Sequence, residues 1–127
     1  MATAEQSRLI HQTMLEAEGT KVKYIAGDNG EIAELPVIAG DGSFEFRTDE
    51  GVYETWLTRT YLVQVEDLCI GNTIFLPKKG YKIEEVNALG ETDRYEVLPL
   101  DNGRGYEVWD NAGVVINITT KLVSANV

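Results

Sequence analysis

The sequence predicts a mainly β protein, an antiparallel β-sandwich or small β-barrel preceded by one N-terminal α-helix. Three observations carry that expectation. Helix formers run from Thr3 to Glu18 and stop at Gly19, nearly every apolar run after it alternates with period two, and clusters of Gly, Asn and Asp separate those runs at short intervals. With 127 residues and 43% hydrophobic content, the chain should bury roughly two-thirds of its unfolded surface. One domain over residues 1–127 is therefore expected, stable without a disulfide or a structural metal.

The helix comes first. Thr3 followed by Gln6 fits a capping box and Gly19 supplies the stop. Its apolar stripe is thin: Leu9, Ile10, Met14 and Ala17 fall near one face and Glu5, Arg8, Gln12 and Glu16 on others, which suits a helix lying on a larger body or a neighbouring subunit. His11 has no motif around it and is expected to be an ordinary surface or interface residue.

Strand-like runs follow at Thr20–Ala26 and Glu31–Ile38 around the turn Asp28-Asn29-Gly30, where Asn and Gly tolerate positive φ. A second turn is expected at Gly40-Asp41-Gly42, before Ser43–Arg47. Asp49-Glu50-Gly51 then precedes the longest run, Val52–Val65, so residues 40–51 read as a protruding hairpin or mobile loop. Glu66 to Asn72 reads as a connector, Thr73–Leu76 leads to a Pro77-Lys78-Lys79-Gly80 turn, and Tyr81–Val86 resumes alternation. Arg94–Leu98, Gly105–Trp109 and Val114–Leu122 complete the series, with turns at Asp101-Asn102-Gly103 and Asp110-Asn111-Ala112-Gly113, before a short tail at 124–127.

Charge narrows the function classes. The formal charge is −10, with 5 basic and 11 acidic residues through Gln64 and 6 against 10 after it. Affinity for nucleic acid through counterion release needs a Lys/Arg-rich face, and the sequence offers only the cluster Lys78, Lys79, Lys82. A single-strand binder using the aromatic residues as a stacking platform is therefore disfavoured. No stretch reaches the roughly 20 apolar residues of a membrane-spanning helix, no signal peptide is evident, and the single cysteine, Cys69, forms no internal disulfide. Folding in a reducing cytoplasm, with no membrane partner, is the expectation.

No enzymatic constellation emerges. His11 is the only imidazole, so neither a nucleophile–base pair nor a Cys/His zinc set is spelled out. Cys69, between Leu68 and Ile70, reads as a small buried hydrophobe. Glu84 and Glu85 would point to opposite faces of a strand and read as solvated charge. Gly103-Arg104-Gly105 is too short for a phosphate loop, and Asp28-Asn29-Gly30 lacks the spacing of a calcium loop. Neither a catalytic residue nor a cofactor is assigned.

From Val65 to Val123 the order of features carries a resemblance. Glu66-Asp67-Leu68, then Leu76-Pro77-Lys78-Lys79-Gly80-Tyr81-Lys82-Ile83, Tyr95-Glu96-Val97-Leu98-Pro99, Tyr106 through Asp110 and Ile116-Asn117-Ile118-Thr119-Thr120-Lys121 together resemble the head-tail joining proteins of long-tailed bacteriophages, also called head completion or stopper proteins. Tyr81 replaces the family's usual acidic residue, and Thr119 stands where a histidine is frequent.

The resemblance implies a structural virion protein, assembled in the host cytoplasm. It implies a homo-oligomeric ring of six or twelve copies beneath the portal and adaptor, closing the DNA-filled head and meeting the tail, including its terminator protein. Genomic DNA would pass close by without being bound. The loop of Asp41, Ser43, Phe44, Glu45, Phe46, Asp49 and Glu50 is expected to face the channel or a neighbouring ring. Leu9, Ile10 and Met14 of the helix, with Pro77, Lys78, Lys79 and Lys82 of the turn, are expected at subunit or partner interfaces. A tail terminator or tail completion protein is the alternative within the same biology. A β-barrel that binds a ligand among its aromatic residues is the alternative outside it.

Overall fold

The computed structural model describes residues 3–26, 30–47, 50–99, 104–110 and 112–124, and for residue 31 and residues 42–47 and 53–57 only the course of the backbone. The turn residues 28, 29, 101–103 and 111, and Asp49 of the expected loop, lie outside the described residues.

Helix α1 (Ala4–Glu18) begins as expected. The Thr3 hydroxyl accepts from the Gln6 amide at 3.2 Å and the Gln6 side chain accepts from the Thr3 amide at 2.9 Å, satisfying two donors that a helix start leaves open. Its end is tight: a Cβ on Gly19 would lie 2.4 Å from the Leu15 carbonyl oxygen, so no other residue fits this stop without moving backbone.

Strands β1 (Thr20–Ala26), β2 (Glu31–Arg47), β3 (Tyr53–Gln64), β6 (Lys82–Val86), β7 (Thr92–Val97) and β9 (Val115–Ser124) are joined in the order β3-β2-β1-β6-β7-β9, and β9 pairs back onto β3 from Thr58↔Lys121 to Gln64↔Val115. The sheet thus closes on itself as a six-stranded antiparallel barrel, the second of the two architectures expected. Closure pairs both edges that an open sheet would leave exposed. β8 (Glu107–Val108) adds to the edge of β9 beyond β7. A 3-10 turn at Val65–Leu68 and β4 (Cys69–Ile70) take up most of the expected connector, and β4 pairs with β5 (Thr73–Ile74), the start of the run expected at Thr73–Leu76, as a two-stranded ribbon.

Alternation fills the barrel. Val22 and Tyr24 of β1, Leu35 and Val37 of β2, Tyr61 and Val63 of β3, Ile83, Val97 and then Ile116 and Ile118 of β9 are buried together. Each such side chain contributes about 1.5–3 kcal/mol relative to exposure. Tyr24 and Tyr61 have no exposed surface, and edge-to-face contacts at 6.0 and 6.2 Å tie them to Tyr81, just before β6, and to Tyr95 of β7. Burial holds both phenols above their ordinary value, with Tyr81 adding to the effect on Tyr24 and Glu85 to that on Tyr61. These aromatic side chains are core.

Four expectations are corrected. No turn occurs at Gly40-Asp41-Gly42: β2 runs through it unbroken, because Gly40 has ordinary strand geometry and allows close approach of Thr60, whose Oγ1 would lie 3.3 Å from a Cβ there. His11 is fully buried. Helix α1 docks through Ser7 and His11, four residues apart, instead of through Leu9 and Ile10. Nε2 of His11 donates to the Leu62 carbonyl at 3.1 Å, and the Gln64 amide donates to Nδ1 at 3.0 Å. Cys69 is exposed, since β4 lies on an outer ribbon. Glu85 is buried and Glu84 is half-buried, so neither is a solvated charge, although they do point to opposite faces.

Asp110 organises the turn from β8 into β9. Its Oδ1 accepts from the amides of Val114 and Val115, both at 2.9 Å, and its Oδ2 from Ala112 at 3.2 Å. Burial works to raise its pKa, but these backbone amides together with the Ser7 side chain outweigh it and hold the carboxyl below its ordinary value of 3.8. A carboxylate with a lowered folded pKa stabilises fully above its ordinary value and loses that contribution as pH falls below it. Asp110→Ala should cost about 1–2 kcal/mol at neutral pH. In urea titrations the gap from wild type should close as pH falls below 3.8.

Candidate functional site

The expected loop is the outer half of a long hairpin. β2 pairs with β3 from Ile38↔Leu62 to Arg47↔Tyr53, whereas β1 leaves β2 at Val37 and β9 leaves β3 at Thr58. Beyond those points the two strands continue as a ribbon, without a third strand among the described residues. From Asp41 to Arg47 it reaches about 20 Å at the rise of a β-strand. Asp41 stands at its base and is exposed, Ser43, Phe44, Glu45 and Phe46 lie along it, and Glu50 is exposed near its tip.

An ionic clamp holds the base of this arm. Arg59 of β3 grips Glu85 of β6 with two hydrogen bonds, Nε to Oε1 at 2.7 Å and Nη2 to Oε2 at 2.6 Å, while its Nη1 meets Asp41 at 2.7 Å. The Tyr61 hydroxyl donates to Glu85 Oε1 at 2.9 Å, and Thr120 of β9 donates to the Arg59 carbonyl at 2.8 Å. The bond to Glu85, against the opposing effect of burial and with help from Asp41, raises Arg59 above its ordinary pKa. The fork geometry makes this more than a point-charge contact. Arg59 thus ties the arm to the far wall of the barrel mouth, beside a cleft of about 200 Å³ that Asp93 and Tyr95 also line.

The basic turn belongs to the opposite end. β6 starts at Lys82, directly after the turn, and reaches the clamp at Glu85, so turn and arm leave the barrel from its two ends. Pro77 is buried and not available to a partner; Lys78 and Lys79 are exposed. Gly80 closes the turn at φ 94°, a conformation that costs other residues about 1–2 kcal/mol. Lys82 is half-buried and engaged, donating to the Gly80 carbonyl at 2.9 Å and pairing with Glu96 at 3.4 Å. Behind the turn, Tyr24 donates to the Phe75 carbonyl at 2.7 Å.

The helix face carries the third set. Leu9 and Ile10 are 63% and 48% exposed, and Met14 is half-buried. The three sets are therefore spread over both ends and one side of the barrel. Sequence reasoning missed the clamp. The available signal was a charged residue on the apolar side of an alternation: Arg59 with Tyr61 and Val63, and Glu85 with Ile83. Among the described residues, no group of three or more His, Cys, Asp or Glu is placed to hold a metal.

No curated protein matches the chain. A family model described as phage head-tail joining protein matches residues 3–126. That match takes in the helix, the barrel, the arm and the basic turn alike, and so the chain belongs to the phage head-tail joining protein family.

Proposed function

We propose that the chain forms a six- or twelve-copy ring beneath the portal and adaptor, closing the DNA-filled head and presenting a surface for the tail. One observation carries this reading: a single closed barrel sends an anchored arm from one end and an exposed basic turn, Lys78 and Lys79, from the other. A joint between two assemblies needs two distinct ends on a body that does not deform between them. The Lys78–Lys79 turn suits an acidic partner surface. The work is association without chemistry, in the virion after assembly in the host cytoplasm. Among the described residues no helix is long and apolar enough to cross a membrane.

The arm, with Asp41, Glu45, Asp49 and Glu50 in its sequence, faces the channel or a neighbouring ring. Negative charge there repels phosphates over roughly 8 Å at physiological salt, so DNA slides past instead of sticking, and retention is steric. Electron microscopy of particles made with an early stop codon in this gene should show DNA-losing or tailless heads beside complete free tails. Overlong or defective tails would move the chain to the tail terminator, and normal virions would overturn the connector reading. Deleting residues 43–50 should leave the barrel folded while head closure or tail attachment fails. Intact closure and attachment in that deletion would remove the arm from the mechanism.

A further inference from the structure

The two sides of the barrel wall differ in charge. Helix α1 lies over β3, with β2 and β9 on its flanks, through His11, Gln64 and its contacts with those strands. In a closed ring of order β3-β2-β1-β6-β7-β9, the strands opposite are β1, β6 and β7. On the outer face of these three, Lys21, Lys23, Lys82 and Arg94 stand against Glu84 and Glu96, a local excess of cations in a chain of charge −10. Arg94 is spent on Glu84 at 2.7 Å and Lys82 on Glu96 at 3.4 Å. Lys21 and Lys23 are exposed and form no ion pair among the described residues, even though Glu34 and Glu84 lie in register with Lys23.

These two lysines line a groove of about 190 Å³ together with Glu34, the Arg94-paired Glu84 and Val86, the last 61% exposed. The outward stripe of α1 is its complement. Glu5, Leu9 and Glu16 share the helix face turned away from Ser7 and His11 at 100° per residue, all three are exposed, and no basic residue lies in the last turn.

We propose that α1 of one copy docks on the β1–β6–β7 wall of the next, seating Leu9 against Val86 and setting Glu5 and Glu16 toward Lys21 and Lys23. The occupant is a second copy of this chain because one molecule carries both halves of the match on opposite sides. Two different surfaces meeting head to tail repeat around an axis and close a ring, whereas a self-complementary patch stops at a dimer. This inference rests on the reading of the chain as a ring-forming joint and names the surfaces that build the ring.

Cross-linking in assembled particles tests it. Leu9→Cys and Val86→Cys are combined in a Cys69→Ser background, supplied to a phage lacking the gene, and the purified virions are mildly oxidised. The expected result is a ladder of covalent multimers from the double variant and monomer from either single one. Particles that contain the double variant but give monomer, or dimers and nothing larger, overturn the helix-to-wall pairing and leave the head-tail role standing. Wild-type chain missing from virions overturns that role itself. If the cysteine variants do not enter particles, charge reversal decides. Lys21→Glu with Lys23→Glu should lower incorporation about tenfold or more, and adding Glu5→Lys and Glu16→Lys should restore it. A quadruple variant that stays out of particles while its circular dichroism and melting match wild type overturns the pairing.

Discussion

Replacing Glu85 by alanine should destabilise the barrel by about 3–5 kcal/mol, the cost of leaving one partner of a buried ion pair behind. Arg59 has a side chain 22% exposed and would keep only Asp41, whose side chain is 84% exposed and screened by solvent. The Tyr61 hydroxyl, on a residue with no exposed surface, would lose its acceptor as well. Against a typical domain stability of about 5–15 kcal/mol, that is a large share, and urea unfolding at neutral pH measures it. Glu85→Gln keeps the shape and one acceptor and should cost less. Combining Arg59→Met and Glu85→Leu with Tyr61→Phe removes both charges and the hydroxyl that Glu85 satisfies, and should recover most of the stability, as apolar replacements of buried pairs often do. That variant separates two roles. Restored stability with failed head-tail joining would assign the clamp to positioning the arm, and restored joining would make it a stability element only.

Gly105→Ala is the second substitution with a large expected effect. A Cβ there would stand 2.6 Å from Val97 Cγ1, 2.8 Å from the Pro77 carbonyl oxygen and 2.9 Å from its carbon. Val97 is a core residue and Pro77 is buried, so relief requires moving the backbone that carries the basic turn. Overpacking of this kind costs about 1–3 kcal/mol and occasionally more, which for a chain of this size lowers Tm by about 10 °C at the upper end. Gly40→Ala is the control. Its Cβ meets only the Thr60 side chain at 3.3 Å, an atom that can rotate away, so a drop as large as that of Gly105→Ala would refute the steric account.

The clamp and the Gly105 contact were both illegible in the sequence, and for one reason. Gly105 sits in what reads as a Gly-Arg-Gly turn; its constraint comes from Pro77, 28 positions earlier. Glu85 reads as one of two adjacent solvated carboxylates until Arg59 and Tyr61, 26 and 24 positions away, are placed beside it. His11 reads as a surface residue on a polar helix until Leu62 and Gln64 supply its partners. In each case the side chain's role is set by a neighbour that no local pattern specifies.

What the sequence determined by itself is what local chemistry can encode. The Thr3–Gln6 box and Gly19 bounded the helix, the alternation in Thr20–Ala26, Tyr81–Val86 and Val114–Leu122 marked strands, and the resemblance from Val65 to Val123 pointed to the family that the match over residues 3–126 establishes. The capping and alternation signals act over two to four residues, the range of backbone hydrogen bonding and side-chain direction. Only the tertiary structure decided that the strands close as a barrel, because closure rests on pairing Thr58 with Lys121 across about half the chain. It also decided that β2 runs straight through Gly40-Asp41-Gly42. A glycine pair is permissive, and whether it turns or extends depends on the partner strand; here β3 continues the ladder past it and holds the arm out from the barrel.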